Sequence, residues 1–132
     1  MSRVQLALNV ADLDRAIDFY TDLFDTPPAK VRDGYANFAI AEPPLKLVLI
    51  AGGGAPGTLN HLGVEVASTD DVASATGRFR DAGLEHTVQD GTTCCYALQD
   101  KVWAHGPDTS WEFYTVLEDA ESMAPAVGTC CG

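Results

Sequence analysis

One pattern runs twice along this chain and constrains its fold more than any other feature. Val4-Gln5-Leu6-Ala7-Leu8-Asn9-Val10 alternates apolar and polar residues with period two, as a strand covered on one face does. Asp12 then reads as a helix cap. Leu13, Ala16, Ile17, Tyr20, Leu23 and Phe24 recur at helical spacing, and Pro27-Pro28 stops the helix. Three short strands are predicted near 29–32, 35–40 and 45–50, with Asp33-Gly34 and Pro43-Pro44 as turns between them. After Gly52-Gly53-Gly54-Ala55-Pro56-Gly57, read as a flexible linker, the pattern returns. His61–Val66 is a second strand. Thr69 or Asp70 caps a second helix with Val72, Ala75, Phe79 and Ala82 on its buried face, and Gly83 ends it. Further strands are predicted near 86–89, 93–99, 102–105 and 111–116. The expectation is an α+β fold: two tandem βαβββ modules forming a curved mixed sheet around a cleft, with the helices outside. Module one spans 3–51, the linker 52–57 and module two 58–117, together a single domain over 1–117. Residues 118–132 lack periodicity and read as a flexible tail containing Cys130 and Cys131.

Charge and cysteine usage narrow the function classes. A net charge of -11 repels nucleic acid and anionic membranes. No stretch approaches the roughly 18 apolar residues of a transmembrane helix. The N-terminus has no signal-peptide layout, so a cytoplasmic location is expected. The four cysteines form two adjacent pairs, Cys94-Cys95 and Cys130-Cys131. Neighbouring Cα atoms stand about 3.8 Å apart, whereas disulfides usually span roughly 4.4–6.8 Å. Reduced thiols are therefore expected.

Alternation also sorts the polar residues. In the first strand Val4, Leu6, Leu8 and Val10 share the face turned to the helix, so Gln5, Ala7 and Asn9 point the other way. In the second copy Leu62, Val64 and Val66 take the apolar face and His61, Gly63 and Glu65 the opposite one. Gln5 and His61 thus hold the same place in the two repeats. Glu112 and Tyr114 share a face of the last strand. If each module curls, Gln5, His61 and Glu112 converge as N and O donors suited to a borderline divalent metal, with positions left open for water, oxygen or substrate. The competing reading is three unrelated polar residues at strand ends. Asn9 and Glu65 lie beyond the pair on the same face, as second-rank supports.

The layout resembles the vicinal oxygen chelate superfamily, which includes glyoxalase I, extradiol dioxygenases and antibiotic-resistance proteins. The resemblance covers roughly residues 3–117. It sharpens in Val4–Val10, Gly34–Ile40, Thr58–Val66, Gly91-Thr92-Thr93-Cys94-Cys95 and Gln99–Trp103. These segments are similar to the branch of cadmium-induced proteins and organoarsenical carbon–arsenic lyases. That resemblance implies a non-haem Fe(II) dioxygenase that cleaves the carbon–arsenic bond of trivalent methyl- or arylarsenicals to arsenite, with dioxygen as co-substrate. It also implies that Gln5, His61 and Glu112 are the iron ligands and that Cys94 and Cys95 bind arsenic. Extradiol enzymes offer two histidines and a carboxylate, and here Gln5 replaces the first histidine. Glyoxalase I adds a fourth ligand from the last strand of its first module, where this chain has Lys46. A three-ligand site is therefore favoured.

Two adjacent thiols grip one soft atom in a small chelate ring, the second binding at high effective concentration. Successive strand residues face opposite ways, so the backbone at Cys94-Cys95 must leave strand geometry. Asp90-Gly91-Thr92-Thr93 is expected to form a mobile loop beside it. The plainer reading makes the pair two small apolar fillers. Asn37, Tyr96 and Lys101 are further candidates for lining the substrate pocket, while His86 and His105 read as exposed or turn residues. Two other functions stay open: a thiol-based cadmium- or arsenite-binding resistance protein without turnover, and a glyoxalase-like metalloenzyme. The sequence also leaves open a homodimer in which two chains exchange modules.

Overall fold

Period-two patterning becomes strand and period-3.6 patterning becomes helix in both halves. The computed structural model describes residues 2–122. The elements are β1 (Arg3–Val10), α1 (Leu13–Phe24), β2 (Lys30–Arg32), β3 (Tyr35–Ile40), β4 (Leu45–Ala51), β5 (Leu59–Glu65), α2 (Thr69–Asp81), β6 (His86–Cys94), β7 (Ala97–His105) and β8 (Ser110–Asp119). The fold is α+β, a mixed eight-stranded sheet with two helices, built from two βαβββ repeats. Hydrogen-bonded neighbours run β2-β3-β4-β1-β5-β8-β7-β6. The described residues fall into two compact units, one from Arg3 to Leu62 and the other comprising Ser2 and the residues from Gly63.

In the first unit β1 and β4 are parallel, while β3 runs antiparallel to both β2 and β4. Parallel pairing requires a crossover, and α1 with the β2–β3 hairpin supplies it. Asp12 caps α1, accepting from the Arg15 N–H at 3.1 Å. The helix stops at Phe24 because Asp25 turns left-handed (φ 48°), two residues before Pro27. Leu6, Leu8 and Val10 of β1 meet Leu13, Ala16, Ile17, Tyr20 and Phe24 of α1 around a core of Ala36, Phe38, Ile40, Leu47 and Leu49. The alternation argument therefore holds, except that Val4 at the strand start is exposed. The opposite face of β1 is buried although two of its three residues, Gln5 and Asn9, are polar.

In the second unit β6, β7 and β8 form an antiparallel meander. Val72, Ala75 and Phe79 of α2 pack on Val102, with Phe113 edge-on to Phe79 at a centroid separation of 5.3 Å. Ser68 caps this helix, not Thr69 or Asp70, because its hydroxyl is the group that reaches the Asp71 N–H. Gly83 (φ 73°) ends the helix, and Leu84 N–H closes back on the Phe79 carbonyl.

Three expectations change. The segment 93–99 is not one strand: Cys95 (φ 52°) and Tyr96 (φ 60°) form a two-residue left-handed turn that joins β6 to β7. Asp90–Thr93 is strand rather than loop, since Thr92 and Thr93 pair with Gln99 and Leu98 after a register shift beyond Gln89. The glycine run is tied to β1, with Asn9 N–H donating to the Thr58 carbonyl at 2.9 Å and Gly57 N–H to the Asn9 carbonyl at 2.8 Å. In addition β8 continues to Asp119, two residues past the expected end of the second module. Cys130 and Cys131 lie outside the described residues.

Candidate functional site

Each unit gathers part of the expected donor set. In the first, β1 and β5 bring Gln5 and His61 together, both about 95% buried, with Gln5 Nε2 3.2 Å from His61 Nε2. The other ring nitrogen, Nδ1, lies 2.8 Å from Asn60 Oδ1. One nitrogen tethered to an oxygen, the other turned toward a second ligating side chain, is how metal-bound histidines are held. Lys46 stands opposite Gln5 across the β1–β4 pair and is half-buried.

In the second unit β8 carries Glu112 and β7 carries Lys101. Lys101 Nζ donates to Glu112 Oε1 at 2.7 Å, and both side chains are almost wholly buried. The same ammonium lies 5.6 Å from the ring centroid of Trp103 and 5.8 Å from that of Tyr114. Aromatic faces and a carboxylate together compensate a cation taken out of water. Lys101 was expected only as a pocket-lining residue, and the structure makes it the ionic partner of a candidate ligand. Among the described residues no group of three or more His, Cys, Asp and Glu side chains stands close enough to hold a metal. The expected set contains two such residues and an amide, so its donor chemistry rests on Gln5 as well. Neutral imidazole, an amide and a carboxylate suit a borderline divalent ion such as Fe(II), and in this respect the residues fit.

The thiols sit where the backbone is least regular. Cys94 ends β6 and Cys95 opens the left-handed turn, which swings both side chains to one side. Their sulfurs are 3.7 Å apart. Two sulfurs on one tetrahedral zinc ion at about 2.3 Å would stand about 3.8 Å apart, close to this separation. Non-glycine residues in the left-handed region are strained and concentrate at functional sites. Gln99, which the sequence marks only as the start of a matching segment, holds this corner: its Nε2 donates to the Cys94 carbonyl at 2.7 Å, while its buried Oε1 has no hydrogen-bond partner among the described residues. Tyr96 N–H donates to the Ser122 carbonyl, and Ala120 N–H to the Tyr96 carbonyl.

Cys94 departs from the expectation of reduced thiols: it is disulfide-bonded, whereas Cys95 is not in a disulfide. The spacing argument excludes a bond between neighbours but is silent about a cysteine distant in sequence. Asn37, another expected pocket residue, is buried in the first unit and donates to the Tyr35 hydroxyl at 2.9 Å. His105 lies between Thr87 and Ser110, and His86 is bound to the Leu84 carbonyl, so both have structural partners.

The fold and this arrangement of strands define the class, and the chain belongs to the glyoxalase/bleomycin resistance protein/dioxygenase superfamily, whose profile matches residues 3–115. Within it, the chain is 60% identical to the cadmium-induced protein CadI of Mycobacterium tuberculosis over 93% of its own length and 82% of that protein's. It is 56% identical to the trivalent organoarsenical cleaving enzyme of Thermomonospora curvata, over 99% of its own length and 88% of the enzyme's. Among solved structures, an extradiol ring-cleaving dioxygenase from B. fuscum superposes with a TM-score of 0.65 at 20% identity, covering 90% of this chain and 34% of that one. That likeness concerns the fold alone. No helix among the described residues is long and apolar enough to cross a membrane.

Proposed function

We propose that this protein is an Fe(II)-dependent dioxygenase-type lyase that cleaves the carbon–arsenic bond of trivalent organoarsenicals, releasing arsenite. The observation that carries the reading is the Cys94-Cys95 pair, held at 3.7 Å by a left-handed turn, in a chain 56% identical to an enzyme named for cleaving such compounds. Gln5, His61 and Glu112 would hold the iron. When bound, the ion supplies the one-electron chemistry that dioxygen needs to react with a closed-shell substrate.

The chain's own residues perform the rest. Cys94 and Cys95 bind arsenic as thiolates once an external dithiol has reduced the disulfide at Cys94 by thiol–disulfide exchange, itself ending as the oxidised disulfide. Each thiolate displaces a hydroxide or water ligand from arsenic and leaves the organic group in place. Gln99 fixes the carbonyl of Cys94 and with it the direction of the first sulfur. Lys101 donates to Glu112 Oε1 at 2.7 Å and so orients its carboxylate. Asn37, Tyr96 and Lys101 are the further residues proposed to line the substrate pocket.

A second reading, sequestration of cadmium or arsenite by the thiols without turnover, is favoured by the 60% identity to a protein named for cadmium induction. One experiment separates the two. The reduced protein is loaded with Fe(II) without air, a trivalent methylarsenical is added, and oxygen is admitted. Arsenite formed only with both iron and oxygen supports the lyase, and stoichiometric binding without arsenite release leaves sequestration.

A further inference from the structure

We propose that Asn9 and Asn60 form a one-way hydrogen-bond chain, rooted at the Ala55 carbonyl, that fixes His61 as its Nδ1–H tautomer and keeps Nε2 as its lone-pair donor. The direction follows link by link. Thr58 Oγ1 lies 2.6 Å from the Ala55 carbonyl oxygen, which accepts only, so the hydroxyl proton is committed there. Thr58 Oγ1 then accepts from Asn9 Nδ2 at 3.0 Å. That orients the Asn9 amide, whose Oδ1 accepts from Asn60 Nδ2 at 3.0 Å. Asn60 Oδ1 is thereby turned to His61 Nδ1 at 2.8 Å. An amide oxygen carries no proton, so Nδ1 must supply it. A neutral imidazole has one N–H, and Nε2 is left with its lone pair, facing the Gln5 amide nitrogen at 3.2 Å. Every link agrees in polarity.

Reversing the chain would flip both asparagine amides. Asn60 would then turn its oxygen toward the Gly53 carbonyl, now 3.5 Å from its Nδ2, and Asn9 would compete for a hydroxyl proton already given to Ala55. The root is also rigid. A Cβ on Gly53 would come within 2.9 Å of Asn60 Nδ2, Asn9 Oδ1 and Ile50 Cγ2, and one on Gly54 within 2.8 Å of Asn9 Nδ2. The glycine run therefore serves as the floor of the chain, a role that needs backbone at side-chain distance. Asn60 and Asn9 are positioning residues, acting on a metal only through His61. The consequence for metal rests on the proposed ligand role of His61, whereas the tautomer does not.

The test is nitrogen-15 NMR of the histidine rings in the metal-free protein, with His86 and His105 assigned by substitution, together with Fe(II) affinity. His61 is expected as Nδ1–H in the unsubstituted protein. Asn60→Leu should populate the Nε2–H form and weaken Fe(II) binding by about 10- to 100-fold, and Asn60→Asp, which still accepts from Nδ1, should restore both. Gly53→Ala gives the same readout from the floor of the chain should Asn60→Leu fail to fold. An Nε2–H ring in the unsubstituted protein, or a ring indifferent to these substitutions, overturns the proposal. A tautomer that shifts while affinity stays constant upholds the chain and removes His61 from the proposed ligand set. If the tautomers behave as stated and no variant binds iron, the chain stands and the metal-site reading falls.

Discussion

The two units share one order of strands and helices but bury polar groups by different means. The first uses neutral groups: Gln5, His61, Asn9 and Asn60 linked by hydrogen bonds. The second uses a salt bridge, Lys101 to Glu112, with aromatic faces around the cation. At the place in the first repeat that matches Glu112 stands Lys46, half-buried and beside Gln5 in register. Hydrogen bonds among neutral groups fix direction, because each donor needs an acceptor. A buried ion pair fixes charge, because neither partner tolerates the loss of the other. The difference teaches that the proposed ligands are oriented in two ways, His61 by its asparagine contact and Glu112 by its lysine.

The largest expected effect tests whether the second unit also carries the substrate. Cys94→Ser or Cys95→Ser should reduce arsenite release to background, because one thiol cannot close the chelate ring. Fe(II) affinity should be unchanged, since neither sulfur belongs to the proposed ligand set. Turnover that survives either substitution, followed as arsenite against time, removes the capture role and leaves the left-handed turn without a purpose.

The ionic half of the comparison breaks next. Lys101→Met leaves Glu112 buried beside a methyl group, and removal of one partner of a buried pair costs about 3–5 kcal/mol. Chemical denaturation of the metal-free protein measures it. Adding Glu112→Leu should recover most of the loss, because an apolar pair has no charge to desolvate. If Lys101→Met costs no more than Asn60→Leu, the two units do not differ as described.

The helices give a smaller contrast. α1 has no fully buried residue, and Phe19 on it is 59% exposed, whereas Val72, Ala75 and Phe79 of α2 are buried. Phe79→Ala should cost about 3 kcal/mol through the cavity left against Phe113 and Val102. Phe19→Ala should stay within about 0.5 kcal/mol. Similar losses from both, in the same denaturation assay, would show that the face of α1 bearing Phe19 is covered in solution.

The repeat and the order of its elements were legible because period two and period 3.6 survive in every long segment. The same alternation placed Gln5, His61 and Glu112 on the faces turned away from the helices, but not that all three are buried. What escaped had local causes. Asn60 escaped because alternation assigns neighbours to opposite faces, yet its short side chain curls back to His61. That the backbone leaves strand geometry at Cys94-Cys95 was legible from the thiols, but its left-handed form at Cys95-Tyr96 escaped because nothing in two non-glycine residues announces positive φ. The glycine run read as a linker because composition reports freedom, while the close approach to Asn9 and Asn60 is a tertiary fact. The disulfide at Cys94 escaped because adjacency constrains one pairing only.

The smallest effect compares the two helix starts. Asp12 accepts from Arg15 N–H at 3.1 Å and Ser68 from Asp71 N–H at 3.3 Å, the same bond made by a charged and a neutral oxygen. Either residue changed to alanine should cost about 1 kcal/mol. Asp12 also places a negative charge at the positive end of the α1 dipole, worth about 0.3–1 kcal/mol at low ionic strength. Asp12→Asn keeps the bond and removes the charge, so its cost should be a few tenths of a kcal/mol in dilute buffer and vanish in about 1 M salt, where screening acts within roughly 3 Å. Ser68→Ala should show no such salt dependence. Equal salt dependence in both would mean that the charge contributes nothing at α1, and that the two modules begin their helices by one mechanism rather than two.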